Sequence, residues 1–279
     1  LATPAPSRAT GPRYERGPHN PPSPPTPLHP GPCSTTEQHA GRESIRHYTY
    51  DSSGRVTRTV MADGRAMLTT HRGTMSETTS PDSQTGLRTV KRRDAEDRLV
   101  EEQEFNDGEL VGRKTWTYDD AGNLVHEAVD EDGKGLKYYD RYEYDQQGRQ
   151  VRRDYGFYAE PGPFRRWATT YADDGRSAVR IRTRIADGRE HSRQQLEYDA
   201  KGRLIGRVAL TSEGVVDSTA EWTYDDLGRL LTERTRVQTN PPTLRQWRYS
   251  HEGDLLERTE DWGADGTTDK RMVFTYECW

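Results

Sequence analysis

A six-residue motif, Tyr-Asp-x-x-Gly-Arg, recurs along this chain and limits its fold more than any other feature. Five copies are clear, and their signature residues are Tyr50, Asp51, Gly54, Tyr118, Asp119, Gly122, Tyr144, Asp145, Gly148, Tyr198, Asp199, Gly202, Tyr224, Asp225 and Gly228. Weaker or partial copies begin at Arg93, Tyr171, Tyr249 and Tyr276, so that from position 93 onward the motif returns every 25 to 27 residues. A fixed period of this length is the signature of a repeat architecture in which each copy is one supersecondary unit.

Each repeat has a second turn signal roughly halfway through its period, and this signal predicts what the unit is. Examples are Asp107-Gly108, Asp132-Gly133 and Asp187-Gly188. Two turns per repeat leave two strands of about 7 to 9 residues, which is an ordinary strand length. Each repeat is therefore predicted to be a β-hairpin, and about eight hairpins are predicted to follow one another as an antiparallel meander.

The residue types of the motif suit a tight turn between two strands. The aspartate can accept hydrogen bonds from backbone N–H groups of the turn, and the glycine can adopt the positive φ that closes it. An aromatic residue often stands two places before the motif tyrosine, as Trp222 does before Tyr224, which places both rings on one face. We predict an all-β fold with one aromatic-aliphatic face and one charged face. Sixteen strands about 4.8 Å apart would form a sheet about 77 Å wide, which favours a curled sheet, a small barrel or a β-spiral.

The composition divides the chain into two parts. The first 33 residues hold 11 of the 16 prolines, which is typical of a polyproline-type linker. We predict a disordered proline-rich arm over residues 1–42 and a repeat β domain over residues 43–279. The first spacing between motifs is longer than the others, and residues 73–86 within it are polar, so this segment is predicted to be a loop insertion.

These repeats resemble the YD-repeat family, also called the RHS-repeat family, over about residues 43–279. The resemblance implies long ribbons of β-hairpins that wind into a curved sheet, which in large members closes into a hollow shell around a toxin domain. This chain is short for the family. It has no recognisable self-cleaving core signature after the repeats, and the last repeat runs to Trp279 without a toxin domain.

Charge and hydropathy exclude several classes of function. The net charge of −5 argues against a strongly basic nucleic-acid binder. No run of 18 apolar residues occurs, so we expect a protein that does not span a membrane. The eight histidines form no HxxxH or HExxH pattern and no cluster with cysteine. We therefore predict no catalytic residues, no enzyme and no bound cofactor, with calcium as the one exception considered.

The sequence suggests a candidate calcium site and a candidate disulfide. Asp261, Asp265 and Asp269 surround a glycine and could supply oxygen ligands to Ca²⁺, although their spacing differs from that of an EF-hand loop. A plain acidic turn is the alternative, as it is for the weaker candidate at residues 130–133. Cys33 and Cys278 stand at the two ends of the predicted domain, which suggests a disulfide formed in an oxidising compartment, with two free thiols as the alternative.

Two rows of side chains are candidate binding surfaces. Arg180, Arg182 and Arg184 alternate along one predicted strand and could contact an acidic partner or an anionic glycan, or could instead pair with acids on neighbouring strands. Trp222 and Trp247 could stack on sugars if exposed, or could belong to the packed face of the sheet.

These features lead to one functional prediction with two alternatives. We expect a non-enzymatic, extracytoplasmic bacterial protein, periplasmic, surface-bound or secreted, that binds a protein partner. The resemblance implies that the partner is a toxin or a secretion component, for which this chain would act as an immunity or accessory protein. The first alternative is a glycan-binding envelope protein. The second is a fragment of a larger toxin-encapsulating shell, in agreement with the partial motif at Tyr276 and the proline-rich start.

Overall fold

The computed structural model describes residues 31–81, 86–133, 135–160 and 162–276, and within these ranges the chain forms twenty β-strands and no helix. The strands are β1 Ser34–His39, β2 Arg42–Tyr50, β3 Val56–Val60, β4 Ala66–Arg72, β5 Met75–Thr79, β6 Arg88–Arg93, β7 Leu99–Asn106, β8 Glu109–Tyr118, β9 Leu124–Asp130, β10 Tyr138–Tyr144, β11 Gln150–Phe157, β12 Pro163–Tyr171, β13 Ser177–Arg184, β14 Glu190–Tyr198, β15 Leu204–Thr211, β16 Val216–Tyr224, β17 Leu230–Val237, β18 Thr243–Tyr249, β19 Leu255–Trp262 and β20 Lys270–Thr275.

The strands form one antiparallel sheet that closes on itself. Every strand pairs with its neighbours in the sequence, and β1 also pairs with β20. The closing pair runs in register from Ser34 opposite Thr275 to His39 opposite Lys270. The prediction of an all-β antiparallel meander is therefore confirmed, and of the three forms left open, a curled sheet, a small barrel or a β-spiral, the structure is a closed barrel.

The number of hairpins and two predicted boundaries were wrong. The sheet contains twenty strands rather than sixteen, and two of the additional strands are polar segments that were predicted to lie outside it. One is β1, inside the predicted arm at 1–42, and the other is β5, inside the predicted loop insertion at 73–86. In β5, Thr78 hydrogen-bonds Thr69 of β4 through their hydroxyl groups at 2.9 Å. Such threonine pairs stabilise neighbouring strands without apolar alternation, so hydropathy gave no signal. Residues 1–30 of the predicted arm lie outside the described residues.

The two faces of the sheet differ in exposure. In β16, Ala220 is buried and Trp222 is half-buried, whereas Glu221 and Thr223 are exposed. Because the less exposed face of a closed sheet lines its interior, we call it the inner face. The strand pairing places Arg207 opposite Ala220, on the inner face. The predicted separation into an aromatic-aliphatic face and a charged face is therefore wrong, because the inner face carries both kinds of side chain.

Large side chains do not fill the interior. Among the described residues nine hydrophobic side chains are buried, and five of these are alanines: Ala66, Ala128, Ala178, Ala209 and Ala220. Twenty strands about 4.8 Å apart give a circumference of about 96 Å and a diameter of about 30 Å before strand tilt. A cavity of about 700 Å³ lies between the strands from β2 to β8, lined by Arg46, Met67, Thr89 and Glu104 among others. The closed sheet thus encloses space that its own side chains leave open.

Candidate functional site

The motif turns lie together at one end of the closed sheet, which we call the tyrosine rim. In four of the five clear copies the aspartate accepts hydrogen bonds from the backbone and the side chain of the motif arginine. Asp225 accepts from the backbone N–H of Arg229 at 2.8 Å and from its guanidinium Nε at 2.5 Å. Asp199 does the same with Arg203, at 2.9 Å and 2.6 Å. Gly202 and Gly228 have φ of 76° and 85°, a region open to glycine and costly for other residues.

The motif arginine also joins its turn to the next one. Arg203 lies over the ring of Tyr224 at 4.7 Å and donates to the backbone carbonyl of Asp225 at 3.2 Å. Tyr224 in turn donates its hydroxyl hydrogen to the carbonyl of Leu204 at 3.0 Å. Sequence reasoning assigned the arginine only to the restart of the strand. The recurrence of arginine five residues after the tyrosine was the signal that pointed to this second role.

The second clear copy of the motif offers a test of that contact. Asn123 stands where the other four clear copies have arginine, and its amide donates to Asp119 at 3.0 Å. The space that an arginine would occupy is open in this copy. At Gly228 the guanidinium of Arg203 lies 3.7 Å from the position that a Cβ would take, whereas at Gly148, in the turn after Asn123, no atom lies within 4 Å of that position. We expect Asn123→Arg to raise the free energy of unfolding by about 0.5 to 1 kcal/mol through a new contact with the ring of Tyr144. Urea unfolding measures this change, and Asn123→Gln is the control. Equal stability of the two variants would contradict the proposed contact.

The tyrosine rim is expected to lose stability in acid. Hydrogen bonds from the backbone N–H and then the guanidinium of Arg55 hold the pKa of Asp51 below its usual value of 3.8. A carboxyl whose pKa is lower in the folded state stabilises the fold above its unfolded pKa, and this contribution is lost as pH falls through the folded pKa. We expect Tm to drop between about pH 5 and about pH 2. Thermal unfolding across this range checks it, and Asp51→Asn should show a smaller drop than the wild type.

The predicted tryptophan surface lies on the inner face, against arginines. The guanidinium of Arg207 is 6.0 Å from the ring of Trp222, and that of Arg258 is 5.7 Å from the ring of Trp247. Both tryptophans are half-buried. Their arrangement matches the packed-face alternative, because rings covered by neighbouring side chains offer little area for stacking on a sugar.

The predicted arginine row is also on the inner face, on β13. Exposure rises along it: Arg180 is 8% exposed, Arg182 is half-buried and Arg184 is exposed. The Nε of Arg180 donates to the hydroxyl of Thr169 at 3.0 Å, and burial lowers the pKa of this arginine. Arg184 lies 3.9 Å from Asp187 of the adjoining turn. The row therefore runs from one end of the sheet into its interior rather than across an outer surface.

The three aspartates proposed for calcium serve the β19–β20 turn instead. Asp261 accepts hydrogen bonds from the backbone N–H groups of Asp265 and Gly266, at 3.2 Å and 2.8 Å. Asp269 accepts from the backbone N–H of Trp262 at 2.6 Å. Within the ranges that the structure describes, no three His, Cys, Asp or Glu side chains are grouped so as to hold a metal ion. The geometry corresponds to the acidic-turn alternative and gives the calcium hypothesis no support.

Cys33 is disulfide-bonded and lies just before the closing strand β1. Its backbone N–H donates to the backbone carbonyl of Thr275 at 2.6 Å, and its backbone carbonyl accepts from the backbone N–H of Tyr48 at 2.7 Å. Cys278 lies outside the described residues, so its pairing with Cys33 stays a prediction. The position of Cys33 places the disulfide at the seam where β1 meets β20.

Exposed apolar side chains are concentrated at the end of the sheet opposite the tyrosine rim, which we call the apolar rim. Of the twelve large hydrophobic side chains that are exposed in the described ranges, two lie near the tyrosine rim, Met75 and Leu227. The other ten are in turns at the apolar rim or within three residues of the strand ends there: Met67, Leu68, Leu87, Leu136, Tyr158, Ile185, Val215, Val216, Val237 and Trp262. Sequence reasoning did not find the apolar rim, because its ten residues are scattered along the chain and share no motif.

Comparisons with known proteins give a limited result. No protein-family profile matches the chain, and no curated protein sequence matches it significantly. A chain in the crystal structure of TcdB2-TccC3-Cdc42 is similar, with 14% identity and a TM-score of 0.29 over 81% of this chain and 14% of that one. This protein thus spans about a seventh of the length of that chain.

A second similarity is to a porin-like protein from Bacteroides uniformis ATCC 8492, with 9% identity and a TM-score of 0.40 over 88% of this chain and 96% of that one. Both TM-scores are below 0.5, so neither similarity assigns this chain to a fold family. The part of the chain that the structure describes contains no helix long and apolar enough to cross a membrane.

Proposed function

We propose that this protein is a non-enzymatic binding protein that docks a partner protein on its apolar rim. The observation that carries the proposal is the position of ten of the twelve exposed large hydrophobic side chains at one end of the sheet. Scattered exposed apolar residues are normal on any protein, whereas a contiguous group rimmed by polar residues marks an interaction site. The opposite end presents ionic turns, and Leu227 is its most exposed apolar residue, at 74%.

The composition of the apolar rim favours a protein over a glycan. Eight of its ten residues are aliphatic, and the aromatic members are Tyr158 and Trp262. Sugars are bound by the faces of aromatic rings, whereas aliphatic side chains gain mainly by packing against another apolar surface. The covered rings of Trp222 and Trp247 weigh against the glycan alternative for the same reason.

The compartment and the class of partner follow from two further features. The disulfide at Cys33 supports an extracytoplasmic location, since disulfides persist in oxidising compartments. The resemblance of the repeats to the YD-repeat family supports a secreted toxin, or a component that delivers one, as the partner. The pairing of β1 with β20 leaves no open edge between them for further repeats, which weighs against the shell-fragment alternative.

The test is capture of the partner with matched rim variants. The wild-type protein, Val215→Asp, Ile185→Asp and Leu227→Asp are immobilised and exposed to extract from the source cells, and the retained proteins are identified by mass spectrometry. We expect one stoichiometric protein on the wild type and on Leu227→Asp, and its loss on the two variants of the apolar rim. Equal retention on all four proteins, or recovery of polysaccharide alone, would overturn the proposal.

A further inference from the structure

The inner faces of the strands from β12 to β16 carry an excess of positive charge. Their cross-strand pairing places five arginines on this face: Arg165, Arg180, Arg182, Arg184 and Arg207. Glu190 and Glu221, on the same strands, lie on the other face. On the inner face of the next two strands, β17 and β18, positive and negative charges are paired: a guanidinium nitrogen of Arg245 lies 3.0 Å from a carboxylate oxygen of Glu233.

Three of these arginines surround Gln194 of β14 and lack ionic partners among the described residues. Arg180 is paired with Gln194 of β14, and Arg182 with Ser192 two residues away on the same strand. Arg207 of β15 lies opposite Leu196, which is two residues from Gln194. Each of the three arginines is therefore opposite or diagonal to Gln194, and side chains in such positions on adjacent strands are within about 8 Å of each other. None of the three arginines forms an ion pair with a described residue, although most other arginines of the inner face do.

Buried polar atoms of the same group lack hydrogen-bond partners. The Nε atoms of Arg182 and Arg207 and the Oε1 of Gln194 are buried with no partner within the described residues. Arg180 is more than nine-tenths buried, and its one side-chain hydrogen bond to a described residue goes to the neutral hydroxyl of Thr169. A buried guanidinium stays protonated, so its desolvation is a cost that only a negative or strongly polar partner offsets.

We propose that Arg180, Arg182 and Arg207 form a binding site for a phosphate- or sulfate-type oxyanion inside the closed sheet. A guanidinium presents planar pairs of N–H donors that match two oxygens of such a group, and three guanidiniums can surround a tetrahedral anion. Arg184, exposed at the apolar rim, and half-buried Arg182 form a path of positive charge that leads inward to Arg180. This site is separate from the protein-docking surface proposed above and does not depend on it.

The charge that surrounds the site agrees with the geometry. Burial lowers the pKa of Arg180, Tyr198 and Tyr171 act in the opposite direction, and the positive charges of Arg153 and Arg207 lower it further. Burial also lowers the pKa of Arg182, with Arg165 acting in the same direction and Asp217 in the opposite one. A bound oxyanion would supply negative charge beside these guanidiniums, where the described residues supply little, and would thereby stabilise their protonated form.

The site is tested by thermal unfolding of the full chain in sodium sulfate, sodium phosphate or sodium chloride at equal ionic strength. We expect sulfate and phosphate to raise Tm by several degrees above chloride, because a ligand that binds only the folded state stabilises it. Phenyl phosphate is a third probe. A larger shift with phenyl phosphate than with phosphate would identify an organic phosphate as the ligand class, and a smaller shift would identify the free ion.

Variants separate this site from general salt effects. Arg182→Gln combined with Arg207→Gln should abolish the extra shift in sulfate, whereas Arg193→Gln, on the outer face of β14, should retain it. In chloride alone the double variant should melt no lower than the wild type, since it loses charges without partners. Isothermal titration of the wild type with sulfate tests binding without any variant. Equal Tm in sulfate and chloride, absence of heat in the titration, or a sulfate shift that survives in the double variant would overturn the proposal.

Discussion

Reduction of the disulfide at Cys33 is expected to lower the free energy of unfolding by about 5 kcal/mol. The reason is the length of chain that the predicted bond to Cys278 closes, about 245 residues. In the chain-entropy account a cross-link stabilises by restricting the unfolded state, and the effect grows with the logarithm of the loop length. Because Cys33 adjoins the β1–β20 seam, the bond also holds together the one pair of strands that is distant in sequence.

Urea unfolding with and without reductant measures this effect, and Cys33→Ala should match the reduced protein. Mass spectrometry of the oxidised protein under non-reducing conditions distinguishes the partner of Cys33. An intramolecular bond leaves a monomer, whereas a bond to a second molecule gives a reducible dimer. A dimer, or a change in stability below about 1 kcal/mol, would contradict the prediction.

Loss of the carboxylate of Asp140 is expected to cost about 3 to 5 kcal/mol. Asp140 is 7% exposed, and its two oxygens accept from Nε and Nη2 of Arg153 at 2.7 Å and 2.9 Å. The guanidinium of Arg153 lies 4.9 Å from the ring of Trp167 and 5.8 Å from that of Tyr142. In Asp140→Ala this half-buried positive charge loses its ion-pair partner, and breaking such a pair on one side is far more costly than removing it entirely.

The double variant Asp140→Leu with Arg153→Met provides the corresponding control. It removes both charges and keeps apolar volume between the rings, so we expect it to recover most of the stability that Asp140→Ala loses. Asp97→Asn, at a turn where the side chain is 88% exposed and φ is 62°, keeps a residue that tolerates this conformation and should change stability by less than about 0.5 kcal/mol. A double variant as unstable as the single one would show that the pair contributes by packing rather than by charge.

The sequence could predict the motif-bearing part of the sheet because its information is local. Tyrosine, aspartate and glycine at fixed positions specify the turns, and the distance between turns specifies the strands. Strands β1 and β5 carried no such information, since Thr36 and Thr78 lie in polar stretches that hydropathy does not distinguish from loops. Closure of the sheet depends on the pairing of Ser34 with Thr275, which local patterns do not encode.

The candidate sites were less predictable for a related reason. The period of two along β13 placed Arg180, Arg182 and Arg184 on one face, but only the closed sheet shows that this face is the interior. Exposure of Val215 and Leu136 likewise follows from their turns projecting at one end of the sheet. Side-chain type and spacing identify a row or a turn, whereas burial depends on what the whole chain encloses.

Pairing of β1 with β20 has a consequence for how this protein is made. During synthesis β1 leaves the ribosome first, and its partner on the closing side is the last strand to appear. Until then the growing sheet has two unpaired edges, each a template for strands of other nascent chains. Antiparallel hairpins can form one by one as they emerge, but the final contact must await β20 and is slow because its partners are so far apart in sequence. Slow translation of the segment that contains β20, or a chaperone that shields the edge of β1, would therefore affect the yield of this protein more than its stability once folded.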